Sequence, residues 1–313
     1  MKQRAITAGI ITLIFIPLLL FNVLLIPFKI FIGLLAMIAV YELIRMFERE
    51  KEVHWLAKVA IFFFTAGFYV IVGNLWENDP NILISDLSMD ISLILLPAIL
   101  ILFTLSVFIP NFGGKSLGLG LLIISYVGLG FGSLAILRVL GSRYVVYLLL
   151  TTVSTDTFAF LFGIKFGKHK MAPTISPKKS WEGAIAGTIL GTTLGSLFGI
   201  LYFVFPEGTI LNPTGSMTIL DGITTLGNSQ TFPSHPIMWQ HVLIIIPITL
   251  LISIFGQLGD LFASKLKRTY EIKDFGSIFP GHGGVLDRFD SVIFSGMFLV
   301  FIFKVMSILW PVA

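Results

Sequence analysis

Runs of about 20 predominantly apolar residues, the helix length that crosses a bilayer core, recur along this chain from end to end. Nothing else in its 313 residues constrains the fold as strongly. The composition leaves little alternative: 56% of the residues are hydrophobic and only 12% charged, against about 45–50% and about 25% in an ordinary globular domain. With 30 Phe and a mean hydropathy of +0.95, the chain lacks the water-facing surface a soluble fold needs. The fold class is therefore all-α, a polytopic integral membrane protein. The absence of Cys excludes disulfides, thiol nucleophiles and thiolate metal sites.

Helices are expected near residues 5–25, 28–46, 56–76, 91–110, 117–137, 143–166, 183–205, 241–264 and 290–311. That makes about nine transmembrane helices, with eight as the alternative. The apolar stretch from Ala5 to Tyr41 would measure about 55 Å as one helix, too long for a core of about 30 Å, so a reversal is expected near Pro27. The amino-terminal MKQR and its apolar run resemble a signal peptide, but no small-residue cleavage site follows, and a retained first span is expected. Of the 21 Lys and Arg, 17 fall on one side of this topology, including Arg45, Lys58, Lys168, Lys265 and Lys273. The positive-inside rule then puts the amino terminus and both long basic loops in the cytoplasm. Residues 1–140 are read as amino-terminal membrane helices without a motif of their own, and 141–313 as the half that carries the chemistry.

Two carboxylates lie inside apolar runs. Asp156, in TTVSTDTFAFLFG, costs roughly 2.5–3.5 kcal/mol at membrane depth unless it meets a partner or a wet cavity. Its plain alternative is a structural role beside Ser154, Thr155 and Thr157. Asp260, in IFGQLGDLFASKLKR, shares a helix face with Ser264 and Lys267 at i, i+4 and i+7. Lys267 could also snorkel from an ordinary helix end. Between these runs, GIKFGKHKMAPTISPKKSWEG holds Gly163 and Gly167, which permit close backbone approach, and two prolines that extend ISPKKS. It delivers Lys178, Lys179 and Ser180 to a helix start, a plausible anion site. The segment from Arg45 to Lys58 reads instead as a topology signal at the headgroups.

After Lys267, Arg268 and Lys273 comes GHGGVLDRFD. Gly281, Gly283 and Gly284 allow a tight backbone whose N–H groups could cradle an anion. Asp287 and Asp290 share a face of the next helix, with Arg288 pointing elsewhere. Capping explains one Asp cheaply, but not both. Carboxylates suit a hard cation such as Mg²⁺, and the cations suit phosphates. Together they describe phosphoryl or nucleotidyl transfer onto a lipid headgroup, in which the protein positions groups and neutralises charge. No Walker-type or GxGxxG stretch is present, and His282 has no required task if the nucleophile is already a phosphate anion.

The stretch from Ser264 to Asp290 resembles the signature of the phosphatidate cytidylyltransferases, also called CDP-diacylglycerol synthases. Ser264, Lys267, Arg268, Lys273, Asp274, Gly276, Pro280, Gly281, His282, Gly283, Gly284, Asp287, Arg288 and Asp290 stand in register with it. The likeness extends to roughly residues 150–295. It implies CTP and phosphatidate as substrates, CDP-diacylglycerol and pyrophosphate as products, and Mg²⁺ dependence, with a second, monovalent cation as an option. On that footing Asp260 and Asp287 are the expected principal metal ligands, and Asp290 and Asp156 the secondary ones. Lys267, Arg268 and Arg288 would hold phosphates. Lys178, Lys179, Ser180, Ser264, Lys273, Gly283 and Gly284 would contact substrate, and His282 would belong to the catalytic set. Nucleic acid is not an expected partner. A homodimer is the commonest assembly for such a chain, and a bacterial inner membrane with the site facing the cytoplasm is the simplest location. The competing readings are a sister CTP-dependent lipid transferase or lipid kinase, and a cation transporter built on Asp156 and Asp260.

Overall fold

The structure, a computed structural model, describes residues 9, 13–77, 90–110, 112–209, 212, 216, 218–221, 223, 239–279, 281 and 283–310. In chain order its elements are α1 (13–20), α2 (Leu25–Phe47), α3 (Trp55–Val72), α4 (Ser92–Phe108), α5 (Gly114–Leu140), α6 (Ser142–Phe166), β1 (Lys170–Ala172), β2 (Ser176–Ser180), α7 (Trp181–Ile200), α8 (Trp239–Thr269) and α9 (Leu286–Leu309). Short 3-10 turns lie at Asn22–Leu24 and Tyr202–Val204. Among the described residues, seven helices, all but α1 and α4, are long and apolar enough to cross a bilayer. The protein is all-α and polytopic. Helix α4 has 17 residues with Pro97 inside it, a rise of about 25 Å against a hydrocarbon core of about 30 Å. Part of the first expected span lies outside the described residues.

Several boundaries differ from those expected. The first break comes at Phe21, which is extended (φ −85°, ψ 122°). Pro27 sits instead in the first turn of α2, where a missing N–H leaves no intrahelical bond unmade. Helix α8 continues to Thr269 and α9 starts at Leu286, beyond the expected bounds, so Lys267 and Asp287 are helical, as the helix faces expected for them require, and so is Arg268. Cations in a last turn and a carboxylate in a first turn are what the helix dipole favours, and hydropathy alone reads such residues as loop.

Two compact units divide the chain. One comprises residues within 1–78, 88–136 and 265–289, the other residues within 137–264 and 290–313. The division falls inside α5, α8 and α9 rather than at one point in the sequence.

In the first unit, α2 buries Phe28, Ile32, Leu35, Ala36, Ala39, Val40 and Leu43, a face with helical period, and packs against α3. A Cβ at Gly128 of α5 would fall 2.6 Å from that of Phe68, and one at Gly132 would fall 2.8 Å from that of Val72. These glycines let α5 lie close on α3, as small residues do in membrane helix pairs. Lys29 is buried, and its ammonium donates to the carbonyls of Leu75 and Glu77.

In the second unit, α6 and α7 lie together along a stripe of glycines at every fourth position, Gly183, Gly187, Gly191, Gly195 and Gly199, all buried. A Cβ at Gly187 would come within 2.7 Å of that of Ala159, and one at Gly183 within 2.8 Å of the Gly163 Cα. The buried hydroxyls facing this stripe are satisfied: Thr155 donates to the Thr151 carbonyl at 2.8 Å and pairs with Ser253 of α8 at 2.8 Å. Phe255 of α8 stacks on Phe298 of α9 with centroids 4.4 Å apart. The strands β1 and β2 pair antiparallel, Lys170 opposite Ser180 and Ala172 opposite Ser176. This hairpin carries the ISPKKS segment, whose extended course the prolines predict.

Candidate active site

The second unit gathers charge from four elements. Asp156 lies ten residues before the end of α6, about 15 Å along the helix. Its Oδ2 accepts a hydrogen bond from the Ser291 hydroxyl of α9 at 3.1 Å, and its side chain is otherwise accessible. It lies within electrostatic reach of Asp260 and of Lys179. Asp260 of α8 pairs through Oδ2 with the Lys179 ammonium of β2 at 2.7 Å, and through Oδ1 it accepts from Ser264 at 3.3 Å. Both members of the ion pair keep about three tenths of their surface, 27% and 31%. Asp290, 8% exposed, accepts the N–H of Ser291 at 2.8 Å. The two adjacent lysines separate because strand residues alternate in direction: Lys179 turns to Asp260, while Lys178 is exposed.

The turn before α7 uses its own polar groups. The Ser180 hydroxyl, buried, accepts from the Gly183 N–H at 3.2 Å and caps α7. The Glu182 carboxylate gathers the N–H groups of Lys168 and His169 and meets His169 Nδ1 at 2.5 Å. Ser180 and Glu182 thus hold the hairpin. Gln257 of α8 donates to Thr188 of α7 at 2.7 Å, just beyond it.

The first unit carries the signature segment in a different arrangement. Lys267 and Asp287 form a buried ion pair, Nζ to Oδ1 2.7 Å, with side chains 12% and 5% exposed. Asp287 Oδ2 also accepts from the N–H groups of Phe275 at 2.8 Å and Gly284 at 2.9 Å. The Lys267 ammonium lies 5.0 Å from the Phe275 ring centroid. Gly281 and Gly283 have φ of +75° and +86°, the left-handed region where glycine is at ease. Phe279 N–H bonds to the Gly283 carbonyl at 3.0 Å and closes the turn. Arg268, Lys273 and Arg288 are exposed. His282 lies outside the described residues.

One residue here carries no expectation from the sequence. Glu42, in α2 and 3% exposed, accepts the N–H of Val285 at 2.9 Å through Oε1 and that of Leu286 at 3.1 Å through Oε2. Added Cβ atoms at Gly276 and at Gly284 would both run into its carboxylate. The Gly284 N–H, one of those the sequence offered to an anion, is therefore taken by Asp287, and the N–H groups of Val285 and Leu286 are taken by Glu42. Glu42 is a carboxylate inside an apolar run, the signal that singles out Asp156, but Arg45 and Arg49 beyond it make the segment read as a membrane-surface signal.

Among the described residues, no group of three or more His, Asp or Glu is arranged to hold a metal ion by itself. The sequence model of the cytidylyltransferase family matches residues 2–306. Bacillus subtilis (strain 168) has a relative named phosphatidate cytidylyltransferase, 32% identical over 98% of this chain and 99% of its own length. Proteins of the same name from Staphylococcus saprophyticus and Staphylococcus aureus (strain COL) are each 34% identical, over 94% of this chain and 95% of their own. The chain belongs to the cytidylyltransferase family and is a membrane-embedded nucleotidyltransferase.

Proposed function

We propose that this protein transfers the cytidylyl group of CTP to phosphatidate, forming CDP-diacylglycerol and pyrophosphate for phospholipid synthesis. The observation that carries the reading is the meeting of Asp156, Lys179, Asp260 and Ser291 inside one membrane unit, in a chain whose relatives are named phosphatidate cytidylyltransferase. A transporter has no need of Lys178 and Lys179 on a pinned hairpin beside two membrane carboxylates.

The chemistry is a displacement at phosphorus. An oxygen of the lipid phosphate bonds to the α-phosphorus of CTP as the bridging bond to the β-phosphorus breaks, and the electron pair leaves on pyrophosphate. The nucleophile is already an anion, so the protein positions groups and offsets charge. Lys178 and Lys179 receive triphosphate oxygens at the hairpin, with Ser180 and Glu182 holding the strand in place. Arg268, Lys273 and Arg288 of the signature contact phosphate. Lys267 is held in one orientation by Asp287.

Mg²⁺ is the ion this reading requires. Asp156 and Asp260 offer carboxylate oxygens from two helices, with the Ser264 and Ser291 hydroxyls beside them. Mg²⁺ is commonly held by one or two carboxylates together with substrate phosphates and water, so this sparse set fits it. Asp156 and Asp260 are the residues that would hold the ion, which when bound neutralises charge on the departing pyrophosphate. Asp287, whose side chain is 5% exposed and meets Lys267 and two backbone N–H groups, orients Lys267 on this reading. The Lys- and Arg-rich helix ends support a cytoplasmic face, by the positive-inside rule.

The test is direct. Purified protein with α-labelled CTP, Mg²⁺ and phosphatidate should yield lipid-linked CMP and free pyrophosphate. Transfer of γ-label alone would make it a kinase, and no transfer to lipid would overturn the assignment.

A further inference from the structure

We infer that Glu42 is a positioning residue of the reaction, reaching from α2 to set the first turn of α9 and the glycine turn before it. The inference rests on the proposed function. It starts from what caps α9. The residue at the helix start is Val285, which has no side-chain acceptor, and the first-turn carboxylate, Asp287, is committed to Lys267, Phe275 and Gly284. Two N–H groups at the start of α9 would otherwise face a buried environment without partners, a costly arrangement. Glu42 supplies both acceptors from a position more than 240 residues away in the chain.

The glycines show that the turn is shaped around this carboxylate. Neither Gly276 nor Gly284 has a positive φ, so access to the left-handed region is not what they contribute. What a side chain at either would strike is Glu42. Glu42 and Asp287 thus divide the N–H groups of one turn between them. Glu42 takes Val285 and Leu286, which leaves Asp287 to point at Lys267. Without Glu42 those two N–H groups lose their acceptors, and the turn that aims Asp287 at Lys267 loses its anchor. A mere anchor would change stability alone. A positioning residue changes kcat while substrate binding persists.

The chain contains no Cys and folds as a membrane protein, so the comparison is made on the full-length protein in detergent. Glu42→Gln keeps the side-chain shape but replaces one acceptor with a donor. Hydrogen exchange of the Gly284–Phe289 amides should speed up at least tenfold, with peptides of α6 and α7 unchanged. The kcat should fall at least tenfold, with KM for CTP within threefold of the parent. Gly284→Ala should speed the same amides in the parent background, yet add nothing to Glu42→Ala, since the atom it strikes is then gone. Native exchange in Glu42→Gln, additive effects of Gly284→Ala and Glu42→Ala, or faster exchange with kcat unchanged would each overturn the inference. A parent that moves no label from CTP to lipid would instead sink the assigned reaction, and the exchange and double-variant results would still decide what Glu42 holds.

Discussion

The two charged clusters of this protein contain the same residue types and treat them in opposite ways. In the second unit Asp156 and Asp260 are accessible, each has one or two partners, and the ion pair of Asp260 with Lys179 is partly exposed. In the first unit Glu42 and Asp287 are buried, and all four of their oxygens accept hydrogen bonds or an ion pair. A buried carboxylate whose oxygens accept backbone N–H groups organises its surroundings, whereas a partly exposed one keeps room for an arriving cation or phosphate-bound ion. On the proposed reading, part of the family signature serves as scaffold even where its residue types look like ligands.

The largest effect that tests this contrast is expected at Asp287. Asp287→Asn leaves the Lys267 ammonium buried without its counter-charge, which costs about 3–5 kcal/mol when one partner of such a pair is removed. Thermal denaturation in detergent should show a drop of that size, together with loss of turnover. Replacing both partners, as Lys267→Met with Asp287→Leu, should recover much of the stability, because a well-packed apolar pair often matches a buried ion pair. Activity should not return. A stable Asp287→Asn would mean that the pair is not the scaffold described.

Asp260→Asn should do the reverse. Its ion pair is partly exposed, and such pairs are worth about 0–1 kcal/mol, so the melting curve should move little. Turnover should fall on the order of 10²–10³-fold, as when an electrostatic group at a reacting centre is removed. Rising Mg²⁺ should recover little of it. Equal losses of stability at Asp260 and Asp287 would erase the distinction between the clusters.

How far the sequence discloses this arrangement depends on whether a residue's partner is local. The long helices are legible because a span needs about 20 apolar residues, and Asp156 because a lone charge in such a run is conspicuous. Glu42 is masked by its neighbours: Arg45 and Arg49 follow at once and make the segment read as a membrane-surface signal. What Glu42 meets is more than 240 residues away, a pairing that no local pattern encodes. Lys178 and Lys179 look equivalent until the strand register turns one to Asp260. The charged last turn of α8 and first turn of α9 lie beyond what hydropathy marks as helix, because it reads such residues as loop.

The smallest effect is expected at Ser291, and it sharpens the comparison most finely. Its hydroxyl is the hydrogen-bond donor found on Asp156, and the side chain is 6% exposed. Ser291→Ala removes that donor and leaves the methylene in place. The net loss in stability should be about 1 kcal/mol, typical of one hydrogen bond. If Asp156 is held ready for an ion, losing its orienting donor should weaken the apparent affinity for Mg²⁺ on the order of 10-fold or more, as losses around ligating groups do. Turnover at saturating Mg²⁺ should change much less. Titrating Mg²⁺ against pyrophosphate release in parent and variant reads both quantities. An unchanged Mg²⁺ midpoint would return Asp156 to a structural role beside Ser154, Thr155 and Thr157.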